Sequence, residues 1–389
     1  MSATETAKLM LDALRPTQTP TQWESDRIQL GVDWDDLAVR AIVFGLAPQL
    51  HRRLTEWEAA SPGVVGVPPR PAAKLAVTYQ ANAKRNEAIY AQLAEVLKAC
   101  AENDLRPIAL KGIHLAATVY PDPALRPMND IDLLFAPDEL PAAETLLESL
   151  GYGGKHKSAE LGAGVTKHTS TFLRDPKGLS TPNPYLSSDS ERMIEPHVSL
   201  EESWFGLKVD ITPGVRERAV EARLGGQPCR VLAPEDLLLH LCAHFCFHLI
   251  MGAPSMVQLT DLLAVAHVWV GQPVGAGLAP AQSGQPQGLP LHWPTFVKRA
   301  IDSRAAPYAL AALTLAHKLL SAPVPDSVFV TLSSATPAPL YRRISTLGLA
   351  DILKRTQQKP LTSVAQRIRR GLADRAETAS WAADWKGRW

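Results

Sequence analysis

What this chain of 389 residues lacks narrows its class before any motif is considered. Its four cysteines, Cys100, Cys229, Cys242 and Cys246, show no extracellular disulfide framework. No signal peptide opens the chain, and no apolar run is long enough to span a bilayer. Neither sign of charge dominates. With 40 basic against 39 acidic residues, a net +1, no global field recruits nucleic acid, although a local basic patch is not excluded. No internal repeat of fixed period is present. These absences set the expectation of a reduced, soluble, cytoplasmic protein. The length exceeds one average domain, so two or three units are expected, and 46% hydrophobic residues are enough to fill their cores.

The informative stretch runs from Leu105 to Tyr152. At its centre, Asn129-Asp130-Ile131-Asp132-Leu133-Leu134-Phe135 reads as a buried strand that carries two acids. Residues i and i+2 of a strand point the same way, which puts Asp130 and Asp132 on one side. Leu105, Ile108 and Leu110 predict an upstream strand ending at Lys111-Gly112. From Ile113 to Tyr120 the spacing is helical, and Pro121-Asp122-Pro123 stops it. A further helix is predicted from about Pro137 to Leu150.

Two carboxylates this close repel unless a cation lies between them, and a hard divalent ion with oxygen ligands, Mg²⁺ first, suits the pair. A glycine at the turn into a helix lets backbone N–H groups approach an anion, which the helix N-terminus favours. Lys111 adds a point charge for phosphate. Together these parts describe a metal–nucleotide site. Acidic pairs two apart also occur as solvated or helix-capping groups, and Asp130 and Asp132 alone leave both readings open.

The flanks read as mostly helical. Residues 1–15 carry a short helical pattern, and Trp23 to Trp57 keeps helical spacing with Asp33 or Asp35 as its cap. A proline-rich joint from Ser61 to Pro71 precedes a long helix from about Ala72 to Asn103, where Ile89, Leu93, Val96 and Leu97 recur at three- and four-residue steps. This N-terminal region is expected to pack against the central unit. After Tyr152, residues 166–173 can make a strand, and Pro182 to Ser190 reads as an exposed loop. In the next strand candidate, Arg192 to Leu200, Glu195 and His197 share a face, and Pro196 argues for an edge or a bulge. Leu207 to Ile211 also alternates. An apolar helix runs from Pro234 through Ile250 and another from about Ser255 to Val270. Residues 271–290 read as a flexible insertion, with further helices near 294–320, 338–356 and 361–385.

The run LKG, then YPDPALRPMNDIDLL, then a helix ending in GY, resembles the uncharacterised nucleotidyltransferase-like family of the polymerase-β-type nucleotidyltransferase superfamily. The likeness continues more loosely through IEPHVSLEESW at 194–204 and LAPEDLLLHLCAHFCFH at 232–248, covering roughly residues 30–265. It implies a small mixed β-sheet nucleotidyltransferase core, and with the helical flanks read above the expectation is an α+β fold: a core at 104–230 flanked by an N-terminal helical region at 1–103 and a C-terminal helical region at 231–389. It also implies transfer of a nucleoside monophosphate from an NTP, ATP first, to a hydroxyl or phosphate, with Mg²⁺ or Mn²⁺ and release of pyrophosphate. The superfamily's turn usually has Gly-Gly or Gly-Ser. Here it is Lys111-Gly112-Ile113, so the serine hydroxyl that would touch a phosphate is absent and Lys111 takes part of that contact.

In this scheme Asp130, Asp132 and a third acid hold the metals. Glu195 is the candidate third acid, because the resemblance places an acid–X–His pair there, and Asp210 is its rival. Lys111, Gly112 and Arg126 are the nucleotide-binding candidates. Arg126 serves equally as a loop lock bound to backbone carbonyls, while Lys167 and Arg192 are weaker phosphate candidates. His197 is the acceptor-side candidate. His240, His244 and His248 stack at four-residue steps, either as zinc ligands or as groups that bond backbone or line a cleft. Balanced charge favours a small-molecule, peptide or protein acceptor over nucleic acid, and the resemblance adds an association with biosynthetic gene clusters. Two alternatives stand beside this reading: a phosphotransferase using the same site, and a catalytically silent nucleotide-binding or antitoxin-like partner.

Overall fold

The computed structural model describes residues 3–156, 170–174, 192–204, 207–251, 254–268 and 290–353. Lys167, the 182–190 loop, residues 271–289 and the 361–385 helix lie outside the described residues.

Four short helices open the chain: α1 (Ala3–Ala13), α2 (Pro20–Gln29), α3 (Trp34–Val43) and α4 (Ala47–Ala60). The single helical pattern read over 23–57 is thus three helices. Gly31 and Gly45, both with positive φ, break it. Of the two expected caps, Asp33 is the one used: its carboxylate accepts the Asp36 N–H at 3.0 Å. Trp23 anchors this layer, its indole N–H donating to the Leu9 carbonyl at 2.9 Å between the rings of Trp34 and Trp57.

The long helix α5 (Pro69–Glu102) leads into β1 (Ile108–Ala109), α6 (Lys111–Thr118), β2 (Asp130–Leu134) and α7 (Leu140–Ser149). Then follow β3 (Gly153–His156), β4 (Ser170–Leu173), β5 (Met193–His197), β6 (Glu201–Trp204) and β7 (Leu207–Asp210). After α8 (Val215–Arg218) come β8 (Val220–Leu224) and β9 (Gln227–Val231). Seven of these strands form one sheet in the order β3-β4-β5-β2-β1-β9-β8, and β6 and β7 pair separately. The sheet is mixed, with β2–β5 and β1–β9 parallel and the other pairs antiparallel.

Pro196 pointed to an edge strand or a bulge; β5 is not at the edge but lies between β4 and β2. Its ladder with β4 registers at Phe172↔Ile194 and does not extend to Pro196, so the missing N–H interrupts no ladder bond.

The remaining described elements are helices: α9 (Pro234–Met251), α10 (Met256–Val268), α11 (Trp293–Asp302), α12 (Ala306–Leu320), α13 (Asp326–Ser334), α14 (Ala338–Ser345) and α15 (Leu349–Leu353). The helix expected over 294–320 divides at Arg304, whose φ is positive. Two cores result. One face of the sheet, with Ile131, Leu133 and Ile194, packs against α5 and α7. The opposite face, with Ile108 and Leu134, joins the core shared by α1–α4 and α9–α15. By alternation along β2, Asp130 and Asp132 belong to the face of Leu134.

Candidate active site

The site begins with a register. β2 and β5 run parallel with Asp132 opposite Glu195 and Leu134 opposite His197, so acids from two strands stand side by side on one face. Ligand atoms of Asp132, Glu195 and His197 lie within 4.8 Å of one another, the one such three-residue group among the described residues. All three side chains are buried, Asp132 to 1% exposure and His197 to 0%.

Cations and donors are arranged unevenly over the acids. The Lys111 ammonium donates to Asp132 Oδ1 at 2.9 Å, and His197 Nε2 meets the same oxygen at 2.6 Å. Burial would raise the Asp132 carboxyl, but the Lys111 charge and the His197 bond hold it well below the usual carboxylate range. Asp130 has less help: among the described residues it has neither hydrogen bond nor ion pair, and only the charges of Lys111 and Arg126 favour its ionised form. Burial, then the charge of Asp132, pushes its carboxyl from 3.8 up to about 6. Lys111 stays charged because the carboxylates of Asp132, Asp130 and Glu202 outweigh the cost of its burial. Thr171 Oγ1 reaches Glu195 Oε1 at 3.3 Å.

This donor set fits a divalent ion. Carboxylate oxygens suit Mg²⁺ and Mn²⁺, and an imidazole in the group is tolerated better by Mn²⁺ than by Mg²⁺. Asp130, on the same face of β2 as Asp132, adds a further carboxylate beside the group.

The turn into α6 is built differently from the expected glycine cradle. The left-handed residue is Lys111, at φ 43°, and Gly112 has an ordinary φ. Glycine is needed at 112 for room: a Cβ there would sit 2.6 Å from Arg126 Nη1 and 3.3 Å from Met128 Cγ. Arg126 in turn is committed. Its Nε and Nη2 each donate to Asp261 on α10 at 2.8 Å, and Tyr120 donates to the same carboxylate at 2.9 Å. The structure therefore places Arg126 as a lock between the 122–129 turn and α10, with Asp130 inside the reach of its charge.

The other expected residues fall as follows. His197 lies behind Asp132 with no exposed surface for an acceptor. Asp210 accepts from the N–H and hydroxyl of Thr212, at 2.9 and 2.5 Å, in the separate β6–β7 pair. Arg192 is buried at the start of β5. His240, His244 and His248 do stack along α9, with ring centroids 5.9 and 4.4 Å apart, and His244 Nδ1 meets Glu202 Oε1 at 2.9 Å. They do not form a three-ligand metal group among the described residues.

A second set of residues escaped the sequence reading. α5 turns polar side chains onto the site's framework: Asn82 Nδ2 donates to the Ala124 carbonyl at 2.6 Å, and Asn86 Nδ2 to those of Pro123 and Arg126 at 2.6 and 3.0 Å. Tyr79 bonds Asp122 and Arg85 bonds Asn129. Tyr90 donates to the Ile113 carbonyl, and Gln92 clamps both backbone groups of Arg192. One helix thus fixes the turn before β2, the first turn of α6 and the start of β5. The signal was legible as Asn82, Asn86 and Gln92 among apolar neighbours at helical spacing.

The sequence profile of a family described as uncharacterised nucleotidyltransferase matches residues 31–269. No curated protein and no solved structure matches the chain. No helix among the described residues is long and apolar enough to cross a membrane.

Proposed function

We propose that this chain, which belongs to the uncharacterised nucleotidyltransferase family, moves a nucleoside monophosphate group from an NTP, ATP first, to an acceptor hydroxyl or phosphate. The observation that carries the reading is the parallel register of Asp132 with Glu195, which gathers acids from two strands beside the under-neutralised Asp130. The acceptor oxygen attacks the α-phosphorus, the bond from that phosphorus to the β-phosphate oxygen breaks, and pyrophosphate leaves with the electron pair.

Asp130, Asp132 and Glu195 would hold Mg²⁺ or Mn²⁺, two ions in the full scheme, with His197 fixing Asp132 from behind. Ions held there lower the pKa of the acceptor hydroxyl and neutralise the triphosphate. Glu195 stands as the acid that takes the acceptor's proton. Lys111 meets the triphosphate at the start of α6, while Arg126 positions the turn through Asp261 instead of binding phosphate itself. Because the chain's net charge is +1, a small molecule, a peptide or a protein side chain fits better as acceptor than a long nucleic acid.

Incubation of the protein with a pool of candidate acceptors and ATP labelled at the α- or the γ-phosphate tests this. The expected result is α-label on the acceptor with release of pyrophosphate. Transfer of the γ-label would make the protein a phosphotransferase, and absence of transfer with every NTP and with both metals would favour a silent binding role.

A further inference from the structure

Lys111 occupies a peculiar position for a residue meant to greet a triphosphate. Its ammonium lies inward, 2.9 Å from Asp132 Oδ1, with a side-chain exposure of 12%. To get there the backbone adopts φ 43°, a conformation uncommon for any residue except glycine. The glycine that could take that conformation without strain is the next residue, Gly112, and it has an ordinary φ, its missing Cβ leaving room for Arg126 and Met128. The left-handed turn is therefore carried by the one residue whose side chain can neutralise Asp132.

That neutralisation competes with a metal. Asp132 Oδ1 already accepts from two partners, Lys111 and His197. A divalent ion bound to this carboxylate would lie only a few ångströms from the ammonium, in a buried setting where like charges repel strongly.

We infer that Lys111 is the built-in counter-ion of the metal site, and that a divalent ion binds Asp132 only as Lys111 leaves it, with the triphosphate as the ammonium's destination. The inference rests on the metal–nucleotide reading above and adds to it a coupling: nucleotide, by drawing Lys111 away, tightens the metal, and metal by reciprocity tightens the nucleotide. A metal-loaded site without nucleotide is thereby disfavoured.

Mn²⁺ alone, titrated against the full chain and followed by electron paramagnetic resonance, tests this without any turnover. Lys111→Ala is expected to bind Mn²⁺ about tenfold more tightly than the unaltered chain, within the usual range of such couplings. Lys111→Arg, which keeps the charge, should not gain. Equal or weaker Mn²⁺ binding by Lys111→Ala overturns the inference and leaves the metal site standing. Absence of Mn²⁺ binding by any of the proteins overturns the metal reading and this inference with it. A second measurement needs no variant: acylation of Lys111 by an amine-reactive ester, read by mass spectrometry, should rise several-fold when Mn²⁺ binds. Unchanged labelling with bound Mn²⁺ would contradict the displacement.

Discussion

Asp132 and Glu195 are register partners on adjacent parallel strands, and His197, two residues beyond Glu195, bonds the Asp132 carboxylate at 2.6 Å. The ladder between β2 and β5 therefore fixes the spacing of the acids before any ligand arrives. Altering these residues should show in metal affinity. Asp132→Asn and Glu195→Gln are expected to weaken Mn²⁺ binding by more than about 100-fold, and His197→Gln by about 10–100-fold, the range typical of an outer partner. Asp210→Asn, whose carboxylate serves the Thr212 turn, should leave it unchanged. Calorimetric titration separates the three outcomes.

Asp130 gives a dependence on pH. Its folded-state carboxyl titrates near 6 and the unfolded one near 3.8. Between these values the folded chain holds a proton that the unfolded chain has lost, so stability falls as pH rises through this window and stays lower above it. Asp130→Asn removes the penalty. Without metal the variant should be more stable above pH 6, by about 1–2 kcal/mol once solvent screening is allowed for. The advantage should vanish towards pH 4. Added Mg²⁺ should raise the melting temperature of the unaltered chain and not that of the variant.

The Arg126–Asp261 pair is buried and bidentate, with Tyr120 on the same carboxylate. Asp261→Ala leaves the guanidinium charge without its partner and should cost roughly 3–5 kcal/mol in urea unfolding. The double change Arg126→Met with Asp261→Leu removes both charges and should cost distinctly less.

Gly112→Ala places a methyl group 2.6 Å from Arg126 Nη1. A guanidinium usually swings aside cheaply, but Asp261 pins this one at two nitrogens. The substitution should destabilise the protein by about 1–3 kcal/mol, and paired with Asp261→Ala it should cost much less than the sum of the two, because the released arginine can yield.

The parts of this account differ in how far local sequence determines them. The acids at 130 and 132, the helix after Lys111 and the polar Glu195–His197 face follow from periodicity, which acts within a few residues. Strands β8 and β9 follow from local chemistry as well, since Gly225-Gly226, both with positive φ, close their two-residue hairpin, but the sequence reading left them without elements. Other features depend on partners far along the chain. Arg126 becomes a lock only because Asp261 arrives 135 residues later, and Pro196 is tolerated inside the sheet only because the β4 ladder does not extend to it. The left-handed residue is Lys111 and not Gly112, and the glycine's role is to leave room for Arg126 and Met128, a close approach from farther along the chain that no local pattern encodes.

The central claim is that the acids of β2 and β5 hold a divalent ion beneath a triphosphate. Anomalous diffraction from crystals grown with Mn²⁺ and α,β-methylene-ATP tests it most directly. The account predicts a manganese peak coordinated by the carboxylates of Asp132 and Glu195 beside Asp130, with Lys111 turned from Asp132 onto the phosphates. An ordered nucleotide with no manganese at these acids, or manganese bound elsewhere in the fold, would contradict it.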